Sequence, residues 1–154
     1  MKEPLMYRPR IYTASKIHHA PLWHRIRQLY HDRVILTARW IELGQGKTQL
    51  LDHASGAWTP SEQILHWIQD IQDVQNSDYL LAYNEAGDAL SGTLVEVGAA
   101  IASCKIVLAV GFQDPSHSWT AHPLVLKFPS VTQALNFVIT GHEIPGDDYL
   151  EERF

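Results

Sequence analysis

Asp78-Tyr79-Leu80-Leu81-Ala82-Tyr83, then Ser91-Gly92-Thr93-Leu94-Val95-Glu96-Val97-Gly98, then Lys105-Ile106-Val107-Leu108-Ala109-Val110 follow one another between Asp78 and Gly111. The first run is short and apolar and leads into the turn-prone Asn84-Glu85-Ala86-Gly87-Asp88, which reads as a buried strand and the loop leaving it. Ser91 is an N-cap candidate, Gly92 to Ser103 a small-residue helix, and Lys105 to Val110 a second buried strand. A strand, a helix and a strand in about thirty residues make a βαβ unit, which requires a right-handed crossover and a parallel sheet. Glu96 is out of place on a helix otherwise lined by Leu94, Val95, Val97, Gly98 and Ala99.

The flanking sequence extends this unit in both directions. Arg10 to Ser15 reads as a first strand running into a loop, with Thr13, Ala14 and Ser15 small enough for a ligand to approach. Pro21 opens a helix whose stripe is Leu22, Ile26 and Leu29. Val34-Ile35-Leu36 is a second strand, with Arg39 and Trp40 just beyond its carboxyl end. Thr59-Pro60-Ser61-Glu62 starts a helix with Ile64, Leu65, Ile68, Ile71 and Val74 as its buried face. After the loop from Gly111 to His122 come a strand at Leu124-Val125-Leu126 and a helix capped by Ser130. The alternation is written β-α-β-α-β-α-β-α-β: an α/β, flavodoxin-like, doubly wound, five-stranded parallel sheet with helices on both faces. The whole of residues 1–154 is expected to be one domain, with a polar excursion at 44–59 and a polar tail at 141–154.

Bulk composition narrows the function classes. A net charge of -5 argues against a duplex nucleic-acid partner. No apolar run is long enough to span a membrane. The basic start from Met1 to Arg10 has no apolar core, so it does not read as a secretory signal. The one cysteine, Cys104, precludes an internal disulfide and suits a cytoplasmic setting; it reads as a small buried hydrophobe. His18 and His19 are adjacent and should point apart, and no Cys/His spacing matches zinc, so neither a metal nor a cofactor is expected. Gly44-Gln45-Gly46-Lys47-Thr48 looks like part of a phosphate loop but lacks its full spacing. Trp40 and Trp119, at strand ends, are either core residues or surfaces on which a base stacks.

In a doubly wound sheet the ligand sits at the carboxyl ends of the strands. Glu96 would point toward that crevice, where the helix start favours its ionised form. An ionised carboxylate can attack an anomeric carbon, with Asp88 or Asp78 as the second acid and Tyr12 orienting Glu96 or the sugar. By spacing alone, the commoner role for such a glutamate is as a partner of the helix dipole on a solvated face.

The segments Ile11-Tyr12-Thr13-Ala14-Ser15, Ser77-Asp78, Ser91-Gly92-Thr93 with Glu96-Val97-Gly98-Ala99-Ala100, and Lys105-Ile106-Val107 resemble the nucleoside 2-deoxyribosyltransferase family. The likeness is to a subgroup of small bacterial and phage-encoded proteins, and it has a sister branch acting on deoxynucleoside 5'-monophosphates. It implies a glutamate nucleophile at Glu96, with Asp78 matching an acid that helps handle the base. The family pattern has an Asp directly before Ser-Gly-Thr; this chain has Leu90 there, and Asp88 two residues earlier. The resemblance implies a small-molecule partner, a deoxynucleoside or deoxynucleotide and a free base. Thr13, Ser15, Lys16, Arg39, Trp40, Ser91, Gly92, Ser118 and Trp119 are its candidate binding residues. It also implies a homodimer or higher homo-oligomer, the Ser116–Trp119 loop completing a neighbour's pocket, and a cytoplasmic location, a phage's host included. The other reading of the same scaffold is a nucleotide-binding or signalling module without turnover.

Overall fold

The computed structural model describes residues 7–43 and 58–142, so most of the excursion expected at 44–59, with its Gly44–Thr48 segment, and most of the tail expected at 141–154 lie outside the described residues. Five strands form one parallel sheet in the order β2-β1-β3-β4-β5: β1 (Arg10–Ala14), β2 (Ile35–Leu36), β3 (Tyr79–Tyr83), β4 (Ile106–Val110) and β5 (Val125–Phe128). The helices are α1 (Ala20–Leu29), α2 (Trp40–Leu43), α3 (Pro60–Gln75), α4 (Ser91–Ala102) and α5 (Val131–His142). This is the predicted α/β, flavodoxin-like arrangement. The written alternation is corrected at its end. A 3-10 turn, Ser118–Ala121, stands where a helix would join β4 to β5, and α5 follows β5. None of the described helices is long and apolar enough to cross a membrane.

Strand register assigns the faces. Tyr12 pairs with Leu80, so both point to the same side of the sheet, and Tyr83, three residues on from Leu80, points to the other. Trp23 of α1 packs edge-on against Tyr83, while α4 packs across β1, β3 and β4 beside α3. Helices α1 and α4 therefore cover opposite faces. The strands read as continuous apolar runs because both their sides are buried.

Two helix starts form as their sequences require. Thr59 accepts from the Glu62 backbone N–H at 3.2 Å and bonds its carboxylate at 3.0 Å, with Pro60 at the first position. Ser130 accepts from the Gln133 N–H at 3.2 Å. Ser91, by contrast, is the first helical residue, and Leu90 holds the cap position without a side-chain bond.

The largest correction concerns α3. Ile64, Leu65 and Ile68 are 62%, 52% and 51% exposed rather than buried, and only Val74 of the expected stripe is enclosed. The inward side carries Trp67, Asp70 and Asp73 instead, at helical spacing. The helix thus turns polar groups toward the sheet and apolar ones outward, and Leu94 and Val95 of α4 are exposed as well.

Cys104 is also corrected: it is exposed and adopts φ 59° just past α4. Its N–H bonds the Ile101 carbonyl at 3.0 Å and the Lys105 N–H bonds Ala100 at 2.9 Å. That pair of bonds is a Schellman cap, in which glycine is the usual residue at the left-handed position.

Candidate active site

The inward stripe of α4 is Thr93, Glu96, Val97 and Ala100, spaced i, i+3, i+4, i+7. Glu96 is in the middle of it, 7% exposed, over β1. The Tyr12 hydroxyl lies beside its carboxylate, near enough for each group to shift the other's proton. Their contact is a loose one that still lets the hydroxyl lower Glu96, and neither Tyr12 Oη nor Glu96 Oε2 has another partner.

The ionisation state differs from the sequence expectation. Burial pushes Glu96 up to about 8, the Tyr12 hydroxyl pulls it partly back, and the charge of Asp70 raises it again. The helix start does not counter this, because Glu96 is in the second turn of α4 and the dipole acts mainly over the first. Tyr12 is itself held far above its ordinary range, by burial first and then by Glu96 and Asp70.

Asp70 is the acid that sequence reading missed. It projects from the inward side of α3, half-buried, and burial followed by the charge of Asp73 lifts it to about 6, with Arg39 opposing. A signal existed in the sequence: Asp70, Asp73 and Trp67 share one helical face, opposite Ile64, Leu65 and Ile68.

The other candidates are distributed as follows. Asp78 stands before β3, at the amino edge of the sheet, where it accepts bonds from the Tyr7 hydroxyl and from the Arg10 N–H at 2.8 Å. Five residues of strand, roughly 16 Å, separate it from the carboxyl edge, so it cannot handle a base there. Asp88 is at the carboxyl edge but does not act on Glu96. It contacts His19 at 2.8 Å and His18 at 3.5 Å and accepts the Glu85 N–H at 3.0 Å. Although burial alone would raise it, the Glu85 amide and His19 hold it below the usual carboxylate range. The expectation that His18 and His19 point apart is overturned, since their rings lie 3.9 Å from each other.

Arg39 forks onto Asp73, with Nε at 3.0 Å and Nη2 at 2.8 Å from its oxygens. Trp40 is core, not a stacking surface: it is buried and donates to the Thr13 carbonyl at 3.0 Å. Thr13 is fully buried with its hydroxyl unbonded. The Ser15 hydroxyl accepts from Trp23 Nε1 at 2.8 Å, on the α1 side, with half-buried Lys16 next to it. Ser91 and Ser118 are exposed, and Gly92 lies against Trp67. Trp119 is half-buried and edge-on to Phe112, its Nε1 enclosed without a partner.

Glycine is indispensable at one rim position. Gly111 has φ +89°, and a Cβ there would lie 2.0 Å from the Asn84 carbonyl oxygen. The ends of β3 and β4 approach that closely, with Asn84 Nδ2 bonding the Gly111 carbonyl at 3.1 Å.

No protein-family model matches the chain, and no curated protein sequence matches it. Among solved structures it is similar to the CMP N-glycosidase BcmB of Clostridium botulinum, with 16% identity and a TM-score of 0.43 over 84% of this chain and 97% of that one.

Proposed function

We propose that this protein cleaves the N-glycosidic bond of 2-deoxyribonucleosides or their 5'-monophosphates through a covalent intermediate on Glu96. The observation that carries the reading is the enclosed contact of Tyr12 with Glu96, neither Tyr12 Oη nor Glu96 Oε2 having another partner, with Asp70 acting on both. Such an arrangement is costly to the fold and suited to a reacting centre. The sequence resemblance supports the sugar chemistry.

In the first step a Glu96 oxygen bonds the anomeric carbon as the carbon–nitrogen bond breaks. The base leaves with that electron pair and takes a proton from Asp70. In the second step water, or another base, attacks the same carbon, the bond to Glu96 breaks, and Asp70 recovers a proton. Two displacements retain configuration. Near neutral pH the pair holds one proton, resting on Glu96, whereas the reactive arrangement has it on Asp70. The reactive form is therefore the minority one of the two.

The exposed Ile64, Leu65, Ile68, Leu94 and Val95 support self-association through α3 and α4; sedimentation as a monomer at micromolar concentration would count against it.

The raised value of Glu96 also favours a second reading, a binding module in which a protonated Glu96 donates to a nucleotide that is never turned over. Intact-mass spectrometry after mixing with a slow deoxynucleoside analogue separates the two. The wild type should gain one deoxyribosyl group, Glu96→Gln none, and Asp70→Asn should form the adduct only from a good leaving base. Normal turnover by Glu96→Gln would remove Glu96 from the reaction, and nucleotide binding with no adduct on wild type would establish the module.

A further inference from the structure

His18 and His19 occupy the 3-10 turn Ile17–His19, between β1 and α1. Neighbouring side chains ordinarily diverge, but this turn brings the two rings to a centroid separation of 3.9 Å, tilted by 43°. Both Nε2 atoms then face one carboxylate seventy residues away: His19 is 2.8 Å from Asp88 Oδ2 and His18 is 3.5 Å from Oδ1. One ligand atom from each of the three residues lies within 4.8 Å of the others. Ligands at about 2.0–2.2 Å from a zinc-class ion stand roughly 3 to 4 Å apart, so small side-chain rotations would close this set on one ion.

We propose that His18, His19 and Asp88 form a binding site for a divalent transition-metal ion of the zinc class. Two imidazoles and one carboxylate suit such an ion and not magnesium or calcium, which take oxygen ligands. The Glu85 backbone N–H bonds Asp88 Oδ2 at 3.0 Å, which fixes the carboxylate as a supporting shell does. Tyr83 meets the buried His19 ring edge-on at 4.9 Å and holds its orientation. Three protein ligands leave the remaining coordination positions open to solvent on the side of His18, which is 53% exposed. A His19–Asp88 hydrogen bond alone would tie the two loops together, but it leaves unexplained why the exposed His18 ring turns onto the same carboxylate.

This site is separate from the candidate active site. Glu85 to Asp88 and the turn at 17–19 are at the carboxyl edge on the α1 side, whereas Tyr12, Glu96 and Asp70 are across the sheet. The inference therefore does not depend on the proposed reaction.

The test is calorimetric titration of the metal-free full chain with Zn²⁺, repeated with Mg²⁺ and followed by the visible spectrum with Co²⁺. One equivalent of Zn²⁺ should bind, with no competition from Mg²⁺, and Co²⁺ should give the absorption of a nitrogen- and oxygen-ligated ion. His18→Ala removes an exposed side chain, so its fold should survive; it and Asp88→Asn should each weaken binding at least tenfold. His31→Gln, remote from the cluster, should bind as the wild type does. Binding no tighter than about 1 mM, or equal affinity in His18→Ala and wild type, would overturn the site and leave His19–Asp88 as a loop tie.

Discussion

Glu96→Gln should make the protein more stable, and increasingly so as the pH rises. An ordinary glutamate titrates at 4.5, whereas Glu96 in the fold titrates at about 8. Between those values the folded chain keeps a proton that the unfolded chain has released. Stability is therefore fully present below the unfolded value and is lost as the pH climbs through the folded one. The gap of about 3.5 units, at 1.36 kcal/mol each, gives about 5 kcal/mol. Asp70 titrates beside Glu96 and shares part of that total, so the growth should be on the order of a few kcal/mol. This is a large share of a domain stability of about 5–15 kcal/mol. Glutamine has no proton to lose, and titrations elsewhere cancel between the two proteins. Urea unfolding of both, followed by tryptophan fluorescence from about pH 5 to about pH 9, should show curves that diverge in favour of Glu96→Gln. Parallel curves would refute the argument, because they would mean that Glu96 is ionised and satisfied in the fold.

Three further outcomes follow from the geometry. Tyr12→Phe removes the hydroxyl that favours the Glu96 carboxylate, so for a rise of roughly one unit the plateau of the pH–rate profile near neutral pH should drop about tenfold and its falling limb, which Glu96 sets, should move up by the same amount. Gly111→Ala forces a Cβ into the Asn84 carbonyl and should cost at least about 3 kcal/mol in urea unfolding. Cys104→Gly relieves a left-handed non-glycine cap and should raise stability by about 1 kcal/mol, measured the same way.

The sheet was legible because its strands, two to five residues long, are short apolar runs, each ended by a turn signal. The caps at Thr59 and Ser130 are local chemistry and form as written. Glu96 and Tyr12 stood out for a similar reason: each is a polar group on a segment whose other residues belong in the core. What failed depended on long-range contacts. Apolar content alone turns α3 the wrong way, because the requirement to face Asp70 toward Glu96 comes from a helix twenty residues further on. Asp78 and Asp88 are near in sequence to the right place, but one is at the wrong edge of the sheet and the other is held by two histidines. The convergence of His18 and His19 arises from a turn that no periodicity marks.

The strand pairings also have a consequence for the order of assembly. Glu96 belongs to a local unit, β3-α4-β4, whose parts are close in sequence. Tyr12 comes from β1, whose pairing Ile11↔Tyr79 joins residues far apart along the chain. Closing so long a loop is slow compared with forming the local unit. In a chain on its way to the native state, the Glu96 side chain would then be wet and ionised until β1 docks. The proton taken up on burial would arrive with that final docking, so the pH sensitivity of the fold should appear chiefly in how fast it opens rather than in how fast it forms.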